Sequence, residues 1–150
     1  MIDIDKINDH ILRILSQDGR ISNLELADRV GLSPSACLRR VQELERSGVI
    51  NGYRAVLNRA ALGSGFTAYA AVGLSDHSKA SQEAFERSIS LAREVRECHN
   101  ITGDVEYLLR IEVADLIAYK RFHTEVLGTL PQVTSIRSYV VIDSSKDERA

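Results

Sequence analysis

Apolar residues in the first third of the chain recur at helical spacing. Ile4, Ile7, Ile11, Leu12, Ile14 and Leu15 form one stripe that runs to Asp18-Gly19, where a glycine is expected to supply a left-handed helix cap. Ser22-Asn23-Leu24-Glu25 has the form of a capping box, and Leu26, Ala27 and Val30 predict a short second helix ending at Gly31. Ser33-Pro34 restarts the chain, with Ser as N-cap and Pro at the first helical position, and a third helix runs to Ser47-Gly48. Two short helices meeting across Gly31-Leu32-Ser33 make a helix-turn-helix corner. Val49 to Leu57 then predicts two strands about Asn51-Gly52, a wing.

The period changes after Gly63-Ser64-Gly65. Phe66, Ala68, Ala70, Val72 and Leu74 alternate with Thr67, Tyr69, Ala71 and Gly73, as in a strand with two different faces. Ala84, Phe85, Ile89 and Ala92 follow a helical period from a polar start near Ser81. Val95 to Thr102 predicts a strand, Gly103-Asp104 a tight turn and Glu106 to Val113 a strand. Asp115 to Gly128 predicts a capped helix with Leu116, Tyr119, Phe122 and Val126 inward, and Val133 to Ile142 a last strand. With right-handed crossovers this β-α-β-β-α-β order gives a ferredoxin-like sheet with both helices on one face. The fold class is therefore α+β, a winged helix-turn-helix followed by a ferredoxin-like βαββαβ domain. The other face of the sheet carries Tyr69, Ala71 and Leu108, apolar enough to seek a second copy of the chain.

These boundaries divide the chain into a DNA-binding domain over 1–60, a linker over 61–65, a sensing and oligomerisation domain over 66–143 and a flexible tail over 144–150. Charge follows the division. The 150 residues carry 19 basic and 21 acidic groups, a net charge of −2, which says nothing about partners. Residues 1–60 hold nine basic and eight acidic groups, and within 33–59 five arginines face only Glu43 and Glu45. No apolar run reaches the roughly 18 residues a membrane helix needs, and the acidic start does not resemble a secretory signal, so a cytoplasmic protein is expected. Only 5% of residues are aromatic, which argues against a base-stacking single-strand binder.

A wheel of the third helix puts Cys37, Leu38, Val41, Leu44 and Gly48 on one face and Ser35, Ala36, Arg39, Arg40, Glu43 and Arg46 opposite. The outward face is cationic. Its small first residues would let the helix approach base edges in the major groove of double-stranded DNA, where arginine meets phosphates or guanine. Ser33, Ser35, Ala36, Arg39, Arg40 and Arg46 are the candidate DNA contacts.

The order Gly19-Arg20-Ile21-Ser22, Glu25-Leu26-Ala27, Val30 to Ser35, Cys37 to Val41, Leu44-Glu45, Gly48-Val49-Ile50 and Gly52-Tyr53 resembles the leucine-responsive and asparagine-responsive (Lrp/AsnC) regulators. Thr102 to Leu109 resembles that family's sensor-domain turn, and Pro131, Val133, Ile136, Tyr139 and Val140 its closing strand. The resemblance implies a transcription regulator whose C-terminal domain binds amino acids and assembles homodimers into larger rings, such as an octamer. One position departs from the pattern: Glu106 stands where the family usually has Asp.

Catalytic, metal and cofactor chemistry find little support. Cys98 and His99 are neighbours in a strand and point to opposite faces. His10, His77, His99 and His123 sit on separate elements without a paired ligand. Cys37 is expected to pack as a small hydrophobe. Gly103-Asp104 is either a plain hairpin or a ligand cradle. A free amino acid presents a carboxylate and an ammonium, and a glycine turn flanked by Asp104 and Glu106 offers backbone donors and carboxylate acceptors for both. Thr102, Gly103, Asp104 and Glu106 are the candidate effector contacts, with Tyr119 and His123 as side-chain lining. A neutral or apolar amino acid is expected, and a basic one stays open because Glu106 reaches one methylene farther than Asp.

Overall fold

The computed structural model describes residues 4–148, and the chain divides after Ala55 into two compact units. The first holds three helices: α1 (Lys6–Gln17), α2 (Asn23–Val30) and α3 (Pro34–Arg46). Each start is fixed by a side-chain cap, Asp5 accepting from Asn8 N–H, Ser22 from Glu25 N–H and Ser33 from Ala36 N–H. Ser22 forms only half of a capping box, because Glu25 turns to Arg29 instead. Ile11, Leu26, Ala27, Cys37 and Leu44 make the core. Gly31 closes α2 at φ 70°, and its N–H donates to the Ala27 and Asp28 carbonyls, so the corner turns through a conformation that side chains disfavour.

Three local features of this unit differ from the pattern its sequence predicts. Gly19 is not left-handed; α1 ends at an extended Asp18, and Gly19 is small because a Cβ there would stand 3.2 Å from the Tyr53 ring. Residues 49–57 form no strands. A two-residue hairpin turn of the predicted type needs positive φ at both central residues, and Asn51 does not adopt it. Tyr53 instead donates its hydroxyl to Glu45 on α3 at 2.9 Å. Leu38, placed on the buried face of α3, is 45% exposed. At about 100° per residue it lies roughly 110° off the line through Cys37 and Leu44.

The second unit contains β1 (Phe66–Leu74), α4 (Lys79–Ser90), β2 (Val95–Asn100), β3 (Tyr107–Val113), α5 (Leu116–Glu125), a 3-10 turn (Leu127–Thr129) and β4 (Val133–Val140). The antiparallel sheet runs β2-β3-β1-β4, the order of a ferredoxin-like fold. Ala68, Ala70 and Val72 of β1, with Leu109 and Ile111 of β3, pack beneath Phe85 and Ile89 of α4 and Tyr119 and Phe122 of α5. Ser78 rather than Ser81 caps α4. Leu116 is 59% exposed instead of inward, since it opens the first turn of α5.

The opposite sheet face is only partly apolar. Ala71 is 8% exposed and Leu108 is half-buried, but next to them Arg110 and Glu112 are buried as well. Arg110 Nη2 lies 2.8 Å from Asp147 and 3.3 Å from Glu112, whose other oxygen is 3.1 Å from Arg59 Nε. Buried charges persist where partners surround them. The segment expected to fray is thus tied to the sheet at Asp147, and the final two residues of the expected tail lie outside the described ones.

The corner of the first unit gives a direct test. Gly31→Ala forces a Cβ into the left-handed region and should lower the stability of the N-terminal unit by about 1–2 kcal/mol. An unchanged urea midpoint for that unit's transition would contradict the assigned turn.

Candidate DNA-reading and effector sites

Helix α3 presents its N-terminal half to solvent. Asn23 of α2 donates to the Pro34 carbonyl at 2.8 Å, which clamps the start of α3 against α2. The Ser33 and Ser35 hydroxyls lie 3.4 Å apart at this exposed end, and Ala36 follows half-buried. Arg39 is exposed and has no ion-pair or hydrogen-bond partner among the described residues. Together with Leu32, Ala36, Arg40 and Glu43 it borders an open hollow of about 390 Å³.

The three candidate arginines are not equivalent. Arg40 was expected to face outward, but it is half-buried and donates to Asp5 Oδ2 at 2.7 Å and Asn8 Oδ1 at 2.9 Å. It lies only about 60° from the Cys37 line of the helix, so it reaches the N-terminus of α1. Asp5 is held below its usual carboxylate range by the Asn8 N–H and then by the Arg40 guanidinium. Arg46 makes three contacts with Glu43, at 2.6, 2.7 and 3.1 Å, one turn away on the same helix. Of the three, Arg39 alone keeps its charge uncommitted.

The expected tight turn at Gly103-Asp104 is a six-residue loop over 101–106, because β2 ends at Asn100 and β3 begins at Tyr107. Ile101 N–H donates to the Glu106 carbonyl at 2.8 Å and closes it, while Glu106 N–H donates to Val72 of β1 at 3.2 Å. Thr102, Gly103 and Asp104 are exposed, and Gly103 adopts φ 132°. Glu106 is different: its side chain is 14% exposed and both oxygens are engaged. Oε2 accepts from Leu74 N–H at 2.6 Å, and Oε1 stands 2.8 Å from His77 Nδ1.

Tyr119 and His123 do not join this loop within one chain. Tyr119 is 5% exposed, its hydroxyl lies 2.6 Å from Ser138 Oγ and its ring packs on Phe66. His123 stands beside it, ring centroids 6.3 Å apart. Phe66 pairs with Val113, whereas the loop enters β3 at Tyr107, opposite Val72. Six residues of strand, about 20 Å, separate these ends.

Sequence reasoning did not single out His77 or Glu86, since their partners lie far along the chain. Glu86 accepts from the Tyr107 hydroxyl at 2.6 Å beside a cleft of about 350 Å³ between α4 and β2. Burial first, then this contact with Glu86, pushes the Tyr107 phenol up to about 12. Cys98 lines the same cleft with part of its surface exposed, and desolvation within the cleft, then Glu86, pushes its thiol up to about 11. His99, on the other face, lies 3.1 Å from Glu97, so the two neighbours share no proton. Cys37 is buried, and burial raises its thiol too. Among the described residues no group of three potential ligands could hold a metal ion, and no helix is long and apolar enough to cross a membrane.

Comparison with known proteins bears on both sites. A profile for a winged helix-turn-helix DNA-binding domain matches residues 4–51, and one for an Lrp/AsnC ligand binding domain matches residues 67–150. The leucine-responsive regulatory protein of Escherichia coli K12 is 42% identical over 144 residues, covering 96% of this chain and 88% of that protein. The crystal structure of a transcriptional regulator from Neisseria meningitidis in complex with L-methionine superposes with a TM-score of 0.91 at 34% identity, over 95% of this chain and 92% of that one. A feast or famine regulatory protein from M. tuberculosis, complexed with L-methionine, gives 0.86 at 31% identity over 98% and 97% of the two chains. With a ligand-domain profile covering more than half its length and a relative this similar from end to end, the chain belongs to the Lrp/AsnC family.

Proposed function

We propose that this chain is a sequence-specific DNA-binding transcriptional regulator that responds to a free amino acid and acts in the cytoplasm. The observation that carries the reading is the pairing of two parts in one chain. One is a capped helix with an unpaired, exposed arginine, Arg39, and the other is a ligand-binding domain whose relatives were crystallised with L-methionine. Ser33, Ser35, Ala36 and Arg39 form the groove-facing end of α3. Arg40 braces that helix against α1, and Arg46 contributes at the margin because Glu43 meets its charge.

The effector is placed at the Thr102–Glu106 loop. The exposed backbone of Thr102, Gly103 and Asp104 offers N–H donors to its carboxylate, and the acidic side of the loop attracts its ammonium. The minimal unit is a homodimer, since one helix-turn-helix reads one half-site and the Ala71–Leu108 patch with the exposed Tyr139 remains unpartnered by the chain's own helices. Dimers then associate into larger rings.

Arg39→Ala should weaken duplex binding by at least about 1 kcal/mol and reduce the salt slope by about one, whereas Arg40→Ala should leave that slope nearly unchanged. Equal slopes for the parent and Arg39→Ala in a fluorescence-anisotropy salt series would remove α3 as the reader. Light scattering should return at least twice the 16.7 kDa chain mass; a single-chain mass would overturn the assembly.

A thermal-shift screen of the twenty amino acids should find one that raises the melting temperature. At 100 times its dissociation constant it adds about 2.7 kcal/mol of apparent stability. If no amino acid does so, the chain is a DNA-binding protein without this class of effector.

A further inference from the structure

Glu106 is poorly placed to receive an ammonium group itself. One oxygen is occupied by the Leu74 N–H, and the other is covered by the His77 imidazole. His77, in contrast, has a side chain 79% exposed. Its backbone is held in place: Asp76 accepts from both the N–H and the hydroxyl of Ser78, at 2.8 and 2.6 Å, and the His77 carbonyl accepts from Gln82 at 3.4 Å. An exposed ring on a fixed backbone is thereby tethered to a nearly buried carboxylate at the root of the 101–106 loop.

The contact also sets the chemistry of the ring. An ionised carboxylate only accepts hydrogen bonds, so in the neutral imidazole Nδ1 carries the proton directed at Glu106 and Nε2, on the far side of the ring, keeps a lone pair. We propose that His77 is the effector-contacting residue beside this loop, its Nε2 accepting from the ammonium group of a free amino acid. Glu106 is then a positioning residue that orients the ring and does not itself touch the ligand. The proposal rests on the amino-acid-responsive reading and assigns the ammonium end of that ligand to a residue 29 positions away from the loop's own Glu106. It also accounts for a longer carboxylate at position 106, which reaches the Leu74 N–H and the ring at once.

Two variants separate the roles. His77→Ala removes the acceptor. Glu106→Gln keeps an oxygen for Leu74 N–H but offers an NH₂ to Nδ1, which moves the ring proton to Nε2 and turns the acceptor into a donor facing an ammonium. Calorimetric titration with the amino acid that shifts the parent's melting temperature should show at least a tenfold loss of affinity in each. Nitrogen-15 spectra of the effector-free protein in alkaline buffer should show His77 as the Nδ1–H tautomer in the parent and as the Nε2–H tautomer in Glu106→Gln. Parent-like affinity in a folded His77→Ala overturns this assignment and leaves the effector reading standing. An Nε2–H tautomer in the parent overturns it as well, and a parent that binds no amino acid overturns both.

Discussion

The sensing half depends on how its central strand ends. β1 pairs on both edges, and Ala68 and Ala70 keep its core face slim enough for two helices to lie close on it. At its last residues the ladder to β4 slips: Gly73 faces Ser135 while Leu74 faces Val133, leaving Thr134 over. A bulge of this kind leaves backbone groups without ladder partners, and buried ones must find others. On that edge the Thr134 hydroxyl serves the Gly73 carbonyl; on the other edge, where the ladder to β3 stops at Val72 and Tyr107, the Glu106 carboxylate serves the Leu74 N–H. The loop that follows β2 is thus anchored where the β1–β3 ladder runs out, and His77 meets the same carboxylate.

The DNA-binding half works under a different constraint. Its core is small, so charge pairs at the rim help fix the orientation of α3: Arg40 ties it to the start of α1 and Tyr53 ties its other end to the chain leaving the unit. These contacts are at least partly exposed and individually worth little. Their importance is geometric: Arg40 is committed within the protein, as Arg46 is to Glu43, and Arg39 is left exposed without a partner among the described residues. Specificity in such a helix comes from few side chains held in register.

Much of this was legible in the sequence because the signals are local. Ser22, Ser33 and Asp115 cap helices where their spacing predicted, and the Phe66–Leu74 alternation gave both the strand and its buried face. The misses have two physical sources. One is backbone geometry that several residue types satisfy, as at Gly19, which makes room for Tyr53 rather than turning the chain, and at Asn51-Gly52, where no hairpin closes. The other is pairing between residues far apart in sequence, such as Arg40 with Asp5, Arg110 with Asp147 and Glu106 with Leu74 and His77. Composition and periodicity carry no information about such partners, so the arginines of α3 looked equivalent and Glu106 looked free.

The central claim is that one protein couples amino-acid binding to DNA reading, and thermodynamic linkage offers the most direct test. A duplex selected by the protein itself from random-sequence DNA is titrated by fluorescence anisotropy with and without a saturating amino acid, and the amino acid is titrated calorimetrically with and without that duplex. The account predicts that each ligand changes the affinity for the other by the same factor, between about 5-fold and 150-fold. Identical duplex affinities in the presence and absence of every amino acid that binds would contradict it.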